Sequence, residues 1–106
     1  MLLNLTSHAI TLRTPQGDVI LPPSGTVARV SMADEVVGTA AGLPVIRRTP
    51  GPIVGLPTDG TPCIVSSMVL AALPAGTPGV YAPDTGSTAI RDERGLVVAV
   101  TRLVAA

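Results

Sequence analysis

Ala9-Ile10-Thr11-Leu12-Arg13-Thr14-Pro15-Gln16-Gly17-Asp18-Val19-Ile20-Leu21 is an alternating run and an apolar run around a turn. Apolar and polar residues alternate on the first run, and Thr14-Pro-Gln-Gly-Asp18 is turn chemistry. The second run resumes the apolar pattern, so residues 9–21 read as a β-hairpin. The same grammar repeats along the chain. Eleven glycines and eleven prolines interrupt it every few residues. Strands fit between such breaks and helices do not.

Working outward, Leu2–Leu5 is a short first strand. Pro22-Pro-Ser-Gly25 is a second turn. Thr26–Met32 alternates, with Val27, Arg29 and Ser31 on one face and Ala28, Val30 and Met32 on the other. Ala33–Gly42 is less regular, and Asp34 is placed to cap a helical turn over Glu35–Val37 that Gly38 limits. Leu43–Arg48 is a strand, Thr49-Pro-Gly-Pro52 a bend, Ile53-Val54 a brief strand, and residues 55–60 a loop. Pro62–Val65 is a further strand. Ser66–Leu73 is the one helix candidate: serine accepts from the first free amides, Ala71 and Ala72 favour helix, and Pro74 stops it. Val80–Ala82 is short strand. Residues 89–103 read as a closing hairpin, with Asp92-Glu-Arg-Gly95 as the turn and Leu96–Leu103 as the outgoing strand. The expected fold is mainly β, a small antiparallel sheet or barrel-like body with one short helix near 66–73, in a single domain over residues 1–106.

Composition bounds the function. With no Phe or Trp and a single Tyr, the core must come from Val, Leu, Ile, Ala and Met. Yet 46% of residues are hydrophobic and 13% charged. That apolar excess needs a second burial place, and self-association into a homo-oligomer supplies one. Formal net charge is zero and every basic residue is Arg. Zero net charge argues against nucleic acid as a partner, and so do the missing aromatic platforms. No apolar run reaches membrane-spanning length and no signal-peptide pattern opens the chain, so no membrane partner is expected and the protein reads as soluble and intracellular.

No strong catalytic motif is present, and the expectation is a protein that is not an enzyme. One histidine, His8, and one cysteine, Cys63, do not make a metal site. Cys63 lies in an apolar run and reads as a small buried hydrophobe. Asp92 and Glu93 are adjacent, so on a strand they point to opposite faces and make a poor acid–base dyad. Ser24, Ser66 and Ser67 lack a triad context with His8 as the only base. Neither metal nor cofactor is expected. His8 reads as a residue that hydrogen-bonds the backbone and fixes the first turn, with Asn4 and Thr6 satisfying local backbone groups.

What remains is binding. Residues 81–95 hold the only aromatic residue and a concentration of charge. Arg91 and Arg94 suit anionic oxygens, with Asp92 holding one guanidinium in place. Ser87 and Thr88 supply hydroxyls beside them, and Tyr81 suits stacking on a base or ring. Arg47 and Arg48 add charge on a separate strand. The opposing reading is a solvated hairpin turn with Tyr81 filling core.

Asn4-Leu5-Thr6-Ser7-His8, then Pro22-Pro23-Ser24-Gly25-Thr26-Val27-Ala28-Arg29-Val30, then Gly42-Leu43-Pro44-Val45, Gly55-Leu56-Pro57, Ile64-Val65-Ser66 and Arg91-Asp92-Glu93-Arg94-Gly95 follow one another in order. This succession resembles a family of short proteins encoded by phages, prophages and actinobacteria. Ser7 departs from that family's usual proline, which loosens the expected first turn. The resemblance implies phage origin more than activity, and places the protein in the host cytoplasm. In size, β content and C-terminal arginines the chain is also similar to small β-rich phage proteins of the Thoeris anti-defence type. Those are oligomers that sequester nucleotide-derived immune signals such as cyclic ADP-ribose isomers. That likeness implies a non-enzymatic sponge for a small phosphorylated nucleotide-like ligand, with Tyr81, Arg91 and Arg94 as its candidate contacts. The alternative is a structural or accessory phage protein acting through protein–protein contacts.

Overall fold

The computed structural model describes residues 2–106. The fold is mainly β, with ten strands and one short helix among the described residues: β1 Leu3–Asn4, β2 Ile10–Thr14, β3 Gly17–Leu21, β4 Arg29–Ala40, β5 Leu43–Val54, β6 Cys63–Ile64, α1 Ser67–Ala71, β7 Val80–Pro83, β8 Ile90–Arg91, β9 Val97–Ala99 and β10 Leu103–Ala105.

The central sheet has the order β1-β6-β7-β10. Its first three strands run parallel and β10 closes it antiparallel to β7, so it is mixed. Parallel neighbours need a crossover, and α1 lies on the one between β6 and β7. Ser66 caps α1 by accepting from the Val69 amide at 3.3 Å, as its sequence position leads one to expect. Register puts Leu3, Cys63, Val80, Ala82 and Val104 on one face and Asn4, Ile64 and Tyr81 on the other. Cys63, Val65, Val69, Leu70 and Val80 form the core beneath the helix, joined by Leu5 and Ala28. Cys63 and Ile64 are both wholly buried although they point to opposite faces, so the sheet is covered on both sides. Burial pushes the Cys63 thiol's pKa up, which fits its reading as a small hydrophobe.

The hairpin expected over residues 9–21 is present as β2–β3, with Gly17 in the turn at φ 116°. Its β2 edge meets Val100 through two backbone bonds, Arg13 N–H to Val100 O and Val100 N–H to Thr11 O, both 2.9 Å. Behind it, Asn4 is 2% exposed and makes four bonds. Its amide donates to the carbonyls of His8 at 2.8 Å and Leu21 at 2.9 Å. Its carbonyl accepts from the Thr6 amide at 2.9 Å and the Thr6 hydroxyl at 2.6 Å. Asn4 and Thr6 thus fix the first turn. His8 contributes only its backbone carbonyl, not the side-chain bond expected of it.

The largest departure from expectation lies at residues 29–54. The helical turn over Glu35–Val37 and the bend at Thr49–Pro52 are both replaced by strand. Arg29–Ala40 and Leu43–Val54 form one long antiparallel hairpin, the β-arm, closed by Ala41 at φ 51° and Gly42 at φ 78°. Positive φ at both turn residues is the geometry whose twist matches the flanking strands. Two register shifts absorb the irregular sequence. Val37 is the extra residue on β4, and Gly51-Pro52 faces Ser31 alone on β5. Pro44 and Pro50 fall on the even-numbered β5 positions, whose backbone nitrogens face away from β4, so they break no bond of the pair. At about 3.3 Å per residue, twelve residues project roughly 40 Å.

The arm's root is tied to the body. Ser24 N–H donates to Asn4 O and Ala28 N–H to Leu5 O, each at 3.0 Å, so the chain entering the arm runs along the free edge of β1. At its exit Gly55, φ 93°, passes so close that a Cβ there would lie 2.9 Å from Val27 O.

The closing hairpin forms in part. β8 pairs with β9 around Asp92–Gly95, with Gly95 at φ 80°. The single outgoing strand expected over Leu96–Leu103 is divided: β9 stays with β8, and β10 leaves to pair with β7.

Candidate functional site

The residues singled out from the sequence do not converge on one pocket. Tyr81 lies in β7, half-buried, on the sheet face shared with Ile64 and Ala105. Ser87 is exposed and Thr88 half-buried in the loop between β7 and β8. Arg91 is turned inward on its own loop, donating to Gly95 O at 2.8 Å and Thr85 O at 2.7 Å. Asp92 does not hold a guanidinium. Its carboxylate accepts from the backbone amides of Arg94 at 2.8 Å and Leu96 at 3.0 Å, which braces the turn. Asp92 and Glu93 sit in that turn and not on a strand, so the alternation argument about them does not apply.

Arg47 and Arg48 are adjacent on β5 and occupy opposite faces of the arm. Arg48 pairs across the ribbon with Asp34 at 2.8 Å, and Arg47 is in register with Glu35. They form no joint anion clamp.

A polar hub that the sequence did not signal lies at Asp84. Its carboxylate accepts from Gly86 N–H at 2.9 Å and from the Arg102 guanidinium at 2.7 and 3.0 Å, with Thr88 at 3.4 Å. The Gly86 amide and then the Arg102 guanidinium hold the Asp84 carboxyl below the usual carboxylate range. Asp18 is lowered by Arg13, Asp34 by Arg48, and Asp59 by the Thr61 hydroxyl. Arg13, Arg48 and Arg102 therefore serve as structural counter-charges.

Among the described residues Arg29, Arg47, Arg91 and Arg94 have guanidinium groups with no carboxylate partner, and Arg91 spends its donors on backbone carbonyls. Of these Arg29 lines a cleft. The cleft, about 260 Å³, opens where the arm leaves the body, between the turn at Thr6-Ser7, the segment 27–30 that leads into β4 and the start of α1. Leu5, Val27, Ala28 and Val69 supply its apolar wall. Arg29, Ser7 and Ser66 supply donors. Ser66 Oγ accepts the Val69 amide, which leaves its own proton free to donate. Alternation along 26–30 puts Ala28 into the core and Arg29 outward. The signal for Arg29 was present as that alternation, but nothing local in the sequence says that Ser7 and Ser66 come to lie beside it.

A larger apolar groove, about 420 Å³, runs between α1 and β10 and is lined by Leu70, Leu73, Ala82 and Val104 without any charged residue. The Ser67 hydroxyl is its only side-chain donor, and no guanidinium lines it to orient an anion. Among the described residues no group of three or more His, Cys, Asp or Glu is placed to hold a metal ion. No helix among them is long and apolar enough to cross a membrane. No family model, no curated protein and no solved structure matches this chain.

Proposed function

We propose that this protein is a non-enzymatic, phage-type binding protein that sequesters a small nucleotide-derived phosphorylated ligand in the host cytoplasm. The observation that carries the reading is the cleft at the root of the arm, where Arg29 has no carboxylate partner and shares the opening with Ser7 and Ser66. An unpaired guanidinium beside two hydroxyls suits the planar oxygens of a phosphate, and the apolar wall suits a base or sugar edge. At about 260 Å³ the cleft is below the range that encloses a drug-sized ligand, so a dinucleotide would be held only partly. A second copy of the chain completes the enclosure in this reading, with Tyr81 and Arg94 as the further contacts it would bring or meet.

Titration calorimetry against cyclic ADP-ribose isomers and cyclic oligonucleotides tests it. The expected result is saturable heat with at least one of them, weakened tenfold or more by Arg29→Ala. Folded protein that gives no heat with any of them sinks the reading.

The long projecting arm favours a second reading, a structural or accessory phage protein that docks on a larger assembly. Copurification with virions supports it, and a discrete oligomer carrying a nucleotide counts against it.

A further inference from the structure

We infer that the side of the β-arm turned toward α1 is the contact surface for a second copy of this chain. The residues sharing that side follow from the register: Met32 with Pro50, Asp34 with Arg48, and Val36 with Ile46. Met32, Arg48 and Pro50 also line a corner of about 280 Å³ with Met68, Ala71 and Ala72 of the helix and its end, which places the helix on that side.

Three observations select a second copy as the occupant. The first is area. The accessible surface is 7066 Å². A compact monomer of this mass, 10.7 kDa, exposes about 5,500 Å². The radius of gyration, 16.5 Å, likewise exceeds the roughly 13 Å of a compact chain of this length. The excess of about 1,500 Å² is what one protomer contributes to an obligate homodimer interface. The second is chemistry. Val36 is 65% exposed, Ile46 42% and Met32 39%, apolar positions on either side of the Asp34–Arg48 pair on a two-stranded ribbon, and Met68 of α1, 57% exposed, adjoins them. An isolated two-stranded hairpin is marginal in water, so the arm needs a covering surface to persist at this length. The third is charge. That side of the arm carries one carboxylate and one guanidinium, Asp34 and Arg48, and so is neutral and self-complementary. A two-fold axis through it brings Asp34 of each copy toward Arg48 of the other, the arrangement an isologous interface requires. An anionic membrane or a nucleic acid would call for a basic strip, and this one has no net charge.

The surface is independent of the ligand reading. An arm dimer that binds no nucleotide would defeat the proposed function and leave this inference standing.

Sedimentation velocity and light scattering on the full chain read the result. The wild type is expected at an even multiple of 10.7 kDa. Ile46→Asp is expected to lower that mass and weaken association at least tenfold. Val45→Asp, on the opposite side of the ribbon, is expected to leave it unchanged. Asp34→Arg and Arg48→Asp should each weaken association, and the two together should restore it. Each single swap also breaks the pair within its own protomer, so an unchanged circular dichroism spectrum of the single variants is what separates a loss of contact from a loss of fold. A wild type that stays at the protomer mass at all concentrations overturns the inference. So does an Ile46→Asp variant of unchanged mass, or a double charge swap that fails to restore association.

Discussion

Replacing Asn4 by alanine should cost far more than its place in a two-residue strand suggests. The side chain is almost wholly buried and all four of its hydrogen-bonding positions are used. In Asn4→Ala the His8 carbonyl keeps a donor, because the Thr6 hydroxyl also reaches it at 3.0 Å. The Thr6 amide is stranded, while the Leu21 carbonyl loses Asn4 but keeps its ladder partner Ile10. A stranded amide costs about 1–3 kcal/mol, and with the lost Leu21 bond and a small void added the total is about 3 kcal/mol. A domain of this size has a total stability of about 5–15 kcal/mol, so the midpoint of thermal unfolding should fall by roughly 10–20 °C. Urea titration at pH 7 followed by far-ultraviolet circular dichroism measures it, since the chain has no Trp. Ser7→Ala, on an exposed neighbour, is the control and should be nearly neutral. A loss below about 0.5 kcal/mol in Asn4→Ala, the size of an ordinary surface substitution, would refute the role given to this side chain.

Two further outcomes follow from backbone geometry and from titration. Gly55→Ala should destabilise by about 2 kcal/mol or more, because φ 93° disfavours any side chain and the new Cβ meets the Val27 backbone at 2.9 Å. Gly38→Ala, in open space without positive φ, should be neutral or stabilising by about 0.5 kcal/mol, and urea midpoints for the two compare them directly. Asp18, Asp34, Asp59 and Asp84 all have folded pKa values below their usual range. Their contribution is therefore present above the unfolded value near 3.9 and is lost as pH falls through the lower folded values. Urea midpoints should drop as pH falls below about 4, and Asp84→Asn should flatten that limb while lowering stability at pH 7. An unchanged slope in Asp84→Asn would remove Asp84 from the account.

The body of the fold was legible where local chemistry and tertiary outcome agree. Thr14–Asp18 turns because Gly17 accepts positive φ, and Ser66 caps a helix because its hydroxyl meets the Val69 amide. The arm was not legible, for an identifiable reason. Prolines at 44, 50 and 52 and the small residues around Gly38 signal breaks, and in a sheet interior they would be breaks. In a two-stranded ribbon every strand is an edge, so Pro44 and Pro50 sit where no partner needs their missing N–H. The local propensity of Glu35–Val37 for a helical turn is overridden by pairing with Arg47 and Ile46. The candidate site shows the same limit. Arg91 and Asp92 looked available because charge in a turn usually faces water, yet each is committed to its own loop's backbone. Arg29 stood in an ordinary alternating strand, and its cleft exists only because Ser7 and Ser66, from distant parts of the chain, fold beside it.

The placement of those prolines also bears on how the protein avoids becoming a fibre. A ribbon with two open margins is a template that recruits further strands without end. Here β5 carries proline at the outward-facing positions 44 and 50 and again in its bulge at 52, leaving that margin few donors to offer an incoming strand. The β4 margin, Arg29–Ala40, contains no proline and stays receptive. A strip receptive along one side only can join one other strip and then has nothing left to extend. Strand addition ends at two, so the arm can be long and exposed without seeding amyloid.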